Sequence, residues 1–168
     1  LPDPILNPEF WSKRLDEARH TELHYALFKC PRDRWERIEA KHREILREKI
    51  GLDESVLDAG CAWGRLLSLL PSGWRGRYLG IDLSPEFVTM ARLNNPGRAF
   101  VCGEMGDVLA SLAEAGERFD WAVLVSIRPM IRRNLGGAAW DEIERRLDRV
   151  CRRLLFLEYD EADHGSEI

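Results

Sequence analysis

Val56-Leu57-Asp58-Ala59-Gly60-Cys61-Ala62-Trp63-Gly64-Arg65-Leu66-Leu67 reads as a buried strand, a tight loop and the start of a helix. An apolar run closes on an acid, a glycine-centred turn follows, and a second glycine opens another apolar run. Gly60 and Gly64 permit positive φ and let a ligand approach the backbone. A helix starting near Gly64 would point free N–H groups into the same space.

The next stretch outward is Arg77-Tyr78-Leu79-Gly80-Ile81-Asp82, a short apolar strand ending in a second carboxylate. Asp82 lies 18 residues beyond Gly64, near the spacing of roughly 20 at which a strand-end acid accepts both ribose hydroxyls of a bound nucleotide. Leu83-Ser84-Pro85-Glu86 then opens a helix, with Ser84 as N-cap, Pro85 at the first helical position and Glu86 suited to the helix dipole. A dinucleotide loop would read Gly-x-Gly-x-x-Gly. Here Ala62 is not placed as its middle glycine would be, and Cys61 and Trp63 crowd the turn. The spacing therefore disfavours a nicotinamide oxidoreductase.

Together, Asp58-x-Gly60-x-x-x-Gly64 and Gly80-Ile81-Asp82-Leu83-Ser84-Pro85-Glu86-Phe87 resemble the cofactor motifs of class I S-adenosylmethionine (SAM)-dependent methyltransferases. SAM has no phosphate, so a bulkier loop is acceptable. The resemblance implies that Asp58, Gly60, Cys61, Ala62 and Gly64 form the cofactor loop, and that Asp82 and Leu83 hold the ribose. Glu104 and Met105, after Phe100-Val101-Cys102-Gly103, match the positions that flank the adenine. Phe119-Asp120-Trp121-Ala122-Val123-Leu124-Val125-Ser126 resembles strand 4 of the family and brings Ser126 to the carboxyl end of the sheet, where ligands bind in open α/β folds. Beyond it stands Ser126-Ile127-Arg128-Pro129-Met130. No Asn/Asp-Pro-Pro-Tyr/Phe motif lies there, which counts against a DNA amino-methyltransferase, and no Pro-Cys nucleophile, which counts against C5-cytosine chemistry.

The rest of the chain fits one α/β domain. Its 168 residues and 45% hydrophobic content support a core. A net charge of −4 argues against a general polyanion binder. Cys30, Cys61, Cys102 and Cys151 form no Cys-x-x-Cys pair. Zinc or a disulfide framework is disfavoured, and an intracellular, cytoplasmic setting is expected. No run approaches the ~18 apolar residues of a membrane span. No signal peptide is visible, and the missing initial Met allows a trimmed start.

Residues 1–50 read as an N-terminal helical extension. One helix is expected from about Pro8 to His20, and a second is capped by Asp33 and carries Trp35, Ile38, His42, Ile45, Leu46 and Ile50 at helical spacing. Residues 51–168 read as the SAM-binding core: strands over 55–58, 77–82, 98–102, 119–126 and 153–159, helices over 64–70, 85–94, 105–114 and 138–151. Such alternation predicts a doubly wound, mostly parallel, Rossmann-like sheet of about five strands with right-handed crossovers. The resemblance covers about residues 52–160. The family's later helix, its strands 6 and 7 and its Pro-Gly-Gly turn before strand 5 are absent, since nine residues follow Tyr159. The exposed sheet edge this leaves would be covered by the N-terminal helices or by a second subunit in a homodimer, or the chain is cut short.

His20-Thr21-Glu22-Leu23-His24 departs from His-Glu-x-x-His and lacks a third ligand, so no metal site is expected. The stretch Arg128–Arg153 holds eight Arg against four acids. Arg145, Arg146, Arg149 and Arg152 suit the wet face of a helix. Arg128, Arg132 and Arg133 follow strand 4 and could recognise a carboxylate or phosphate on the acceptor. The expected reaction moves the sulfonium methyl of SAM to an N, O or C acceptor, a small molecule in the favoured reading, with nucleic acid or protein acceptors left open. His24, Tyr25 and Tyr159 are the candidate bases. The alternative is a non-catalytic SAM-binding module or partner subunit.

Overall fold

The computed structural model describes residues 7–18 and 31–158. Its centre is a five-stranded, wholly parallel sheet in the order β3-β2-β1-β4-β5. The strands are β1 (Val56–Ala59), β2 (Tyr78–Asp82), β3 (Ala99–Cys102), β4 (Phe119–Val125) and β5 (Cys151–Leu157). The helices are α1 (Pro8–Ala18), α2 (Arg32–Lys49), α3 (Pro85–Asn94), α4 (Met105–Glu114), α5 (Ile127–Leu135) and α6 (Gly137–Val150). A doubly wound α/β architecture was expected and is what is found.

Strand alternation sends side chains to both faces. Val56, Tyr78, Trp121 and Val123 join Leu46 and Ile50, at and just beyond the end of α2, and Val88 and Ala91 of α3. Leu57, Ile81, Ala122 and Leu124 join Leu109 of α4, Ile131 of α5 and Trp140, Leu147 and Val150 of α6. With both faces covered, β1 is buried at all four positions, as a central parallel strand requires. The chain leaves β1 toward β2 and β3, then crosses back to place β4 on the other side of β1. That reversal opens a crevice at the carboxyl ends of β1 and β4.

Several elements depart from expectation. The helix over 64–70 is a 3-10 turn, Arg65–Ser68. Pro71 disfavours the helical region for Leu70, and the three-residue period aligns Leu66 with Leu69, both buried. The helix expected to open at Gly64 does start there, with Gly64 as its N-cap, but as a single 3-10 turn and not an α-helix. Asp33 does not cap α2: Pro31 holds the N-cap position without a side-chain bond, and Asp33 pairs with Arg37 at 2.9 Å. Helix α5 was not expected. Its Pro129 sits in the first turn, where the missing N–H costs nothing. Strand β5 starts at Cys151 rather than 153, because α6 runs directly into it, with Val150 helical and Cys151 extended at φ −129° and ψ 150°. Arg152 therefore belongs to a strand, reaching Asp120 at 3.4 Å. Ser84 caps α3 as expected, accepting from the Phe87 N–H at 3.2 Å.

Candidate active site

The loop after β1 is built from paired backbone bonds. The N–H groups of Gly60 and Cys61 both donate to the Ile81 carbonyl, at 2.8 and 2.9 Å, and Gly64 N–H donates to the Cys61 carbonyl at 2.9 Å. Gly60 has φ +88° and Gly64 φ +79°, as the turn demands. A Cβ on Gly60 would fall 2.4 Å from Ile127 Cδ1, so the first residue of α5 fills the space the glycine leaves.

Asp82 holds this loop from the neighbouring strand. Its Oδ2 accepts from Ala62 N–H at 2.8 Å and its Oδ1 from Ser84 N–H at 2.9 Å. A carboxylate offers about four lone-pair sites, so each oxygen keeps capacity for a ligand. Burial pushes the Asp82 carboxyl above its ordinary range, against the pull of these N–H donors. Ala62, which it pins, adopts φ +45°, and Ser126, after β4, adopts φ +57°. These two are the described non-glycine residues with positive φ, and both line one cavity of about 290 Å³, near the small end of small-molecule sites. Strained backbone of this kind persists where the surroundings over-determine it, often at ligand sites. The Ser126 Oγ is buried with no hydrogen-bond partner among the described residues.

The cavity lies in the crevice between the ends of β1 and β4. Of the expected cofactor residues, Gly60, Ala62, Asp82, Leu83, Glu104, Met105 and Ser126 line it. Asp58, Cys61 and Gly64 do not. Asp58 turns into the core and accepts from Tyr78 Oη at 2.6 Å, and burial pushes its carboxyl up to about 7. Cys61 packs under the loop against Gly80, where an added Cβ would lie 2.8 Å from its sulfur, and burial drives its thiol well above the ordinary range. A Cβ on Gly64 would meet Asn95 Nδ2 at 2.5 Å, so this glycine seats the loop against the end of α3. Glu104 caps α4, accepting from Asp107 N–H at 3.0 Å.

The candidate acceptor residues stand apart from the cavity wall. Arg128 makes a two-pronged pair with Glu158, Nε–Oε1 at 2.6 Å and Nη2–Oε2 at 2.8 Å. Its guanidinium also stacks 4.4 Å over Phe156. Arg132 is exposed on α5. His24, Tyr25 and Tyr159 lie outside the described residues. Sequence reading missed the apolar wall: Trp11 of α1, Trp63, Phe87 of α3, and Met130, Ile131 and Leu135 of α5. Trp11 packs on Phe87 with ring centroids 5.9 Å apart, and Trp63 flanks the same ring at 6.2 Å. The α5 residues were legible in principle, since Ile127, Met130, Ile131 and Leu135 share one helical stripe.

This loop, strand-end acid and crevice have counterparts in known proteins. A family described as a methyltransferase domain matches residues 56–150, more than half of the chain. The chain belongs to the methyltransferase-domain family. A Mycobacterium tuberculosis protein with a provisional methyltransferase name is 40% identical over 70 residues, covering 39% of this chain and 42% of its own. The solved bifunctional kinase-methyltransferase WbdD is 28% identical with a TM-score of 0.51, over 68% of this chain and 26% of that one. A TehB-like SAM-dependent methyltransferase from Corynebacterium glutamicum shares the fold, with a TM-score of 0.52 and 19% identity over 89% of this chain and 68% of that one. This methyltransferase domain thus spans less than half the length of the first two relatives. Among the described residues no helix is long and apolar enough to cross a membrane.

Proposed function

We propose that this methyltransferase domain binds SAM in the β1–β4 crevice and transfers its methyl group to an N, O or C atom of a small acceptor. The observation that carries this reading is the meeting of the Gly60–Ala62 turn and the Asp82 carboxylate at one cavity wall.

The residues fit the cofactor. Asp82 has free lone pairs for a diol, Leu83 and Met105 offer apolar faces for a planar base, and Gly60 presents bare backbone. Ser126, at the end of β4, would border the reacting methyl. When bound, SAM supplies a sulfonium methyl whose C–S bond breaks as the acceptor atom bonds to carbon, leaving a neutral thioether. The domain's own task is alignment and exclusion of water. Charge is dispersed in that step, so no strong acid is required. An acceptor that must lose a proton needs a base, for which His24, Tyr25 and Tyr159 are the candidates. A homodimer through an outer strand, β3 or β5, belongs to the same reading.

Isothermal titration with S-adenosylhomocysteine tests the site. Wild type should bind, and Asp82→Ala should weaken binding by about 1–3 kcal/mol, the cost of leaving buried hydroxyls without a charged acceptor. Binding of NADH in place of S-adenosylhomocysteine would overturn the reading.

A further inference from the structure

A second cleft opens on the α2 side of the loop that follows β1. Trp35 and Glu39 of α2, Arg65, and Asn95 just past α3 belong to its described lining. Its volume is about 360 Å³, within the range of about 300–1,000 Å³ for small-molecule sites. Among described lining residues it shares Trp63 alone with the β1–β4 crevice.

A charged pair sits in this cleft, largely out of water. The Arg65 side chain is 10% exposed and that of Glu39 24%. Their one contact joins Arg65 Nη1 to Glu39 Oε1 at 3.2 Å, longer than the about 2.7–2.9 Å of a well-made charged hydrogen bond. The guanidinium stacks 4.7 Å from the centre of the Trp35 ring. Among the described residues it makes no second hydrogen bond, and neither does the Glu39 carboxylate. Arg128, by contrast, meets both oxygens of Glu158. Asp58, whose carboxyl the Arg65 charge also draws downward, accepts from Tyr78 instead.

Charges withdrawn from water cost stability unless their remaining donors and lone pairs are used. Here Nε and Nη2 are spare on the cation and Oε2 on the anion. A guest with one charge answers half of the pair and meets a like charge beside it. A guest with a carboxylate and an ammonium on one carbon answers both halves and leaves the existing contact in place. Asn95 donates its Nδ2 to the Ala91 carbonyl at 3.0 Å, which leaves its own oxygen to accept from that ammonium. The half-buried Trp63 offers apolar surface to a side chain on the same carbon.

We propose that this cleft is a second small-molecule site, separate from the crevice, and that it takes a free α-amino acid with an apolar side chain. The carboxylate lies on Arg65 and the ammonium on Glu39.

Three probes of one shape separate the two charges: L-leucine, 4-methylpentanoate, which lacks the ammonium, and 3-methylbutylamine, which lacks the carboxylate. Each is titrated calorimetrically into the full chain, with and without saturating S-adenosylhomocysteine. L-leucine should bind at millimolar concentration or below. Each analogue should bind about tenfold or more weakly, the cost of leaving a charged group unpaired. Glu39→Gln keeps the shape of the partly exposed partner and removes its charge, so there L-leucine should bind no more tightly than 4-methylpentanoate. No binding of L-leucine to wild type, equal binding of the three probes, or an unchanged preference in Glu39→Gln would each overturn the proposal. Displacement of L-leucine by S-adenosylhomocysteine would do so too, by making the cleft part of the crevice site. L-leucine binding to a chain that fails to bind S-adenosylhomocysteine would instead sink the proposed function and leave the second site standing.

Discussion

Two buried ionisable residues give this domain opposing responses to pH. Asp58 has its carboxyl raised to about 7 by burial, from an ordinary 3.8. Between those values the folded chain holds a proton that the unfolded chain has lost, so stability falls as pH rises. His42, on α2, is lowered to about 4 from 6.5, by burial first and then by the charges of Arg65 and Lys41. There the unfolded chain holds the extra proton, so stability rises with pH over nearly the same window. Each contribution is on the order of 3 kcal/mol. Asp58→Asn keeps an acceptor for the Tyr78 hydroxyl and should make urea midpoints climb between pH 4 and 6.5 relative to wild type. His42→Leu should make them fall. Parallel profiles for wild type and both variants would show that neither group is held out of water. Ala62 makes a separate case. An L-residue at positive φ carries a cost of roughly 1–2 kcal/mol, partly offset in Ala62→Gly by the freer unfolded chain. Ala62→Gly should therefore stabilise by about 0.5 kcal/mol, read as a raised urea midpoint, and Ala62→Val should destabilise. The Gly-x-x-x-Gly spacing was legible from residue types. The left-handed Ala62 was not, because alanine gives no local signal for that conformation and a bond from Asp82, twenty residues away, imposes it.

Legibility at the level of elements followed the strength of local signals. Helix α3 was found residue for residue because Ser84, Pro85 and Glu86 form a complete start signal. Helix α5 was lost because Pro129 and three arginines make its sequence look like a loop, although its apolar stripe is intact. What seats α5 is tertiary: Ile127 fills the space beside Gly60, and Arg128 reaches across to Glu158 and Phe156. Arg128→Ala should cost about 1 kcal/mol or less of global stability, since the pair is partly solvated. Its larger effect should be local. Amide hydrogen exchange should speed up in residues 130–135 while the β4 amides stay protected. Uniform exchange changes across the molecule would contradict this.

Across the whole molecule, the alternation of strands and helices predicted the layer order and all five strands, because both sheet faces must be covered and the apolar runs carry that requirement. The cavity was half visible. Its polar rim follows motifs, whereas its apolar wall gathers Trp11, Phe87 and Leu135 from elements far apart in sequence, and only the packed fold brings them to one space. A ligand that binds the native state alone should stabilise the entire cooperative unit. S-adenosylhomocysteine at about 100 times its dissociation constant should add roughly 2.7 kcal/mol, seen as a rise in melting temperature. Gly60→Val should abolish that rise, since any side chain there collides with Ile127. An equal rise in the variant would remove the Gly60 turn from the binding site.

The junction between α6 and β5 sets where this cavity can give way. Val150 ends the helix and Cys151 is already hydrogen-bonded strand, so no spare chain separates them. Both residues are buried at the junction. A rocking α6 would have to drag β5 along, and β5 is laddered to β4 from Cys151 to Leu157. The α6–β5 side of the crevice therefore has no slack of its own to give. Trp11 reaches the same space from a helix that lies outside the sheet and its crossovers.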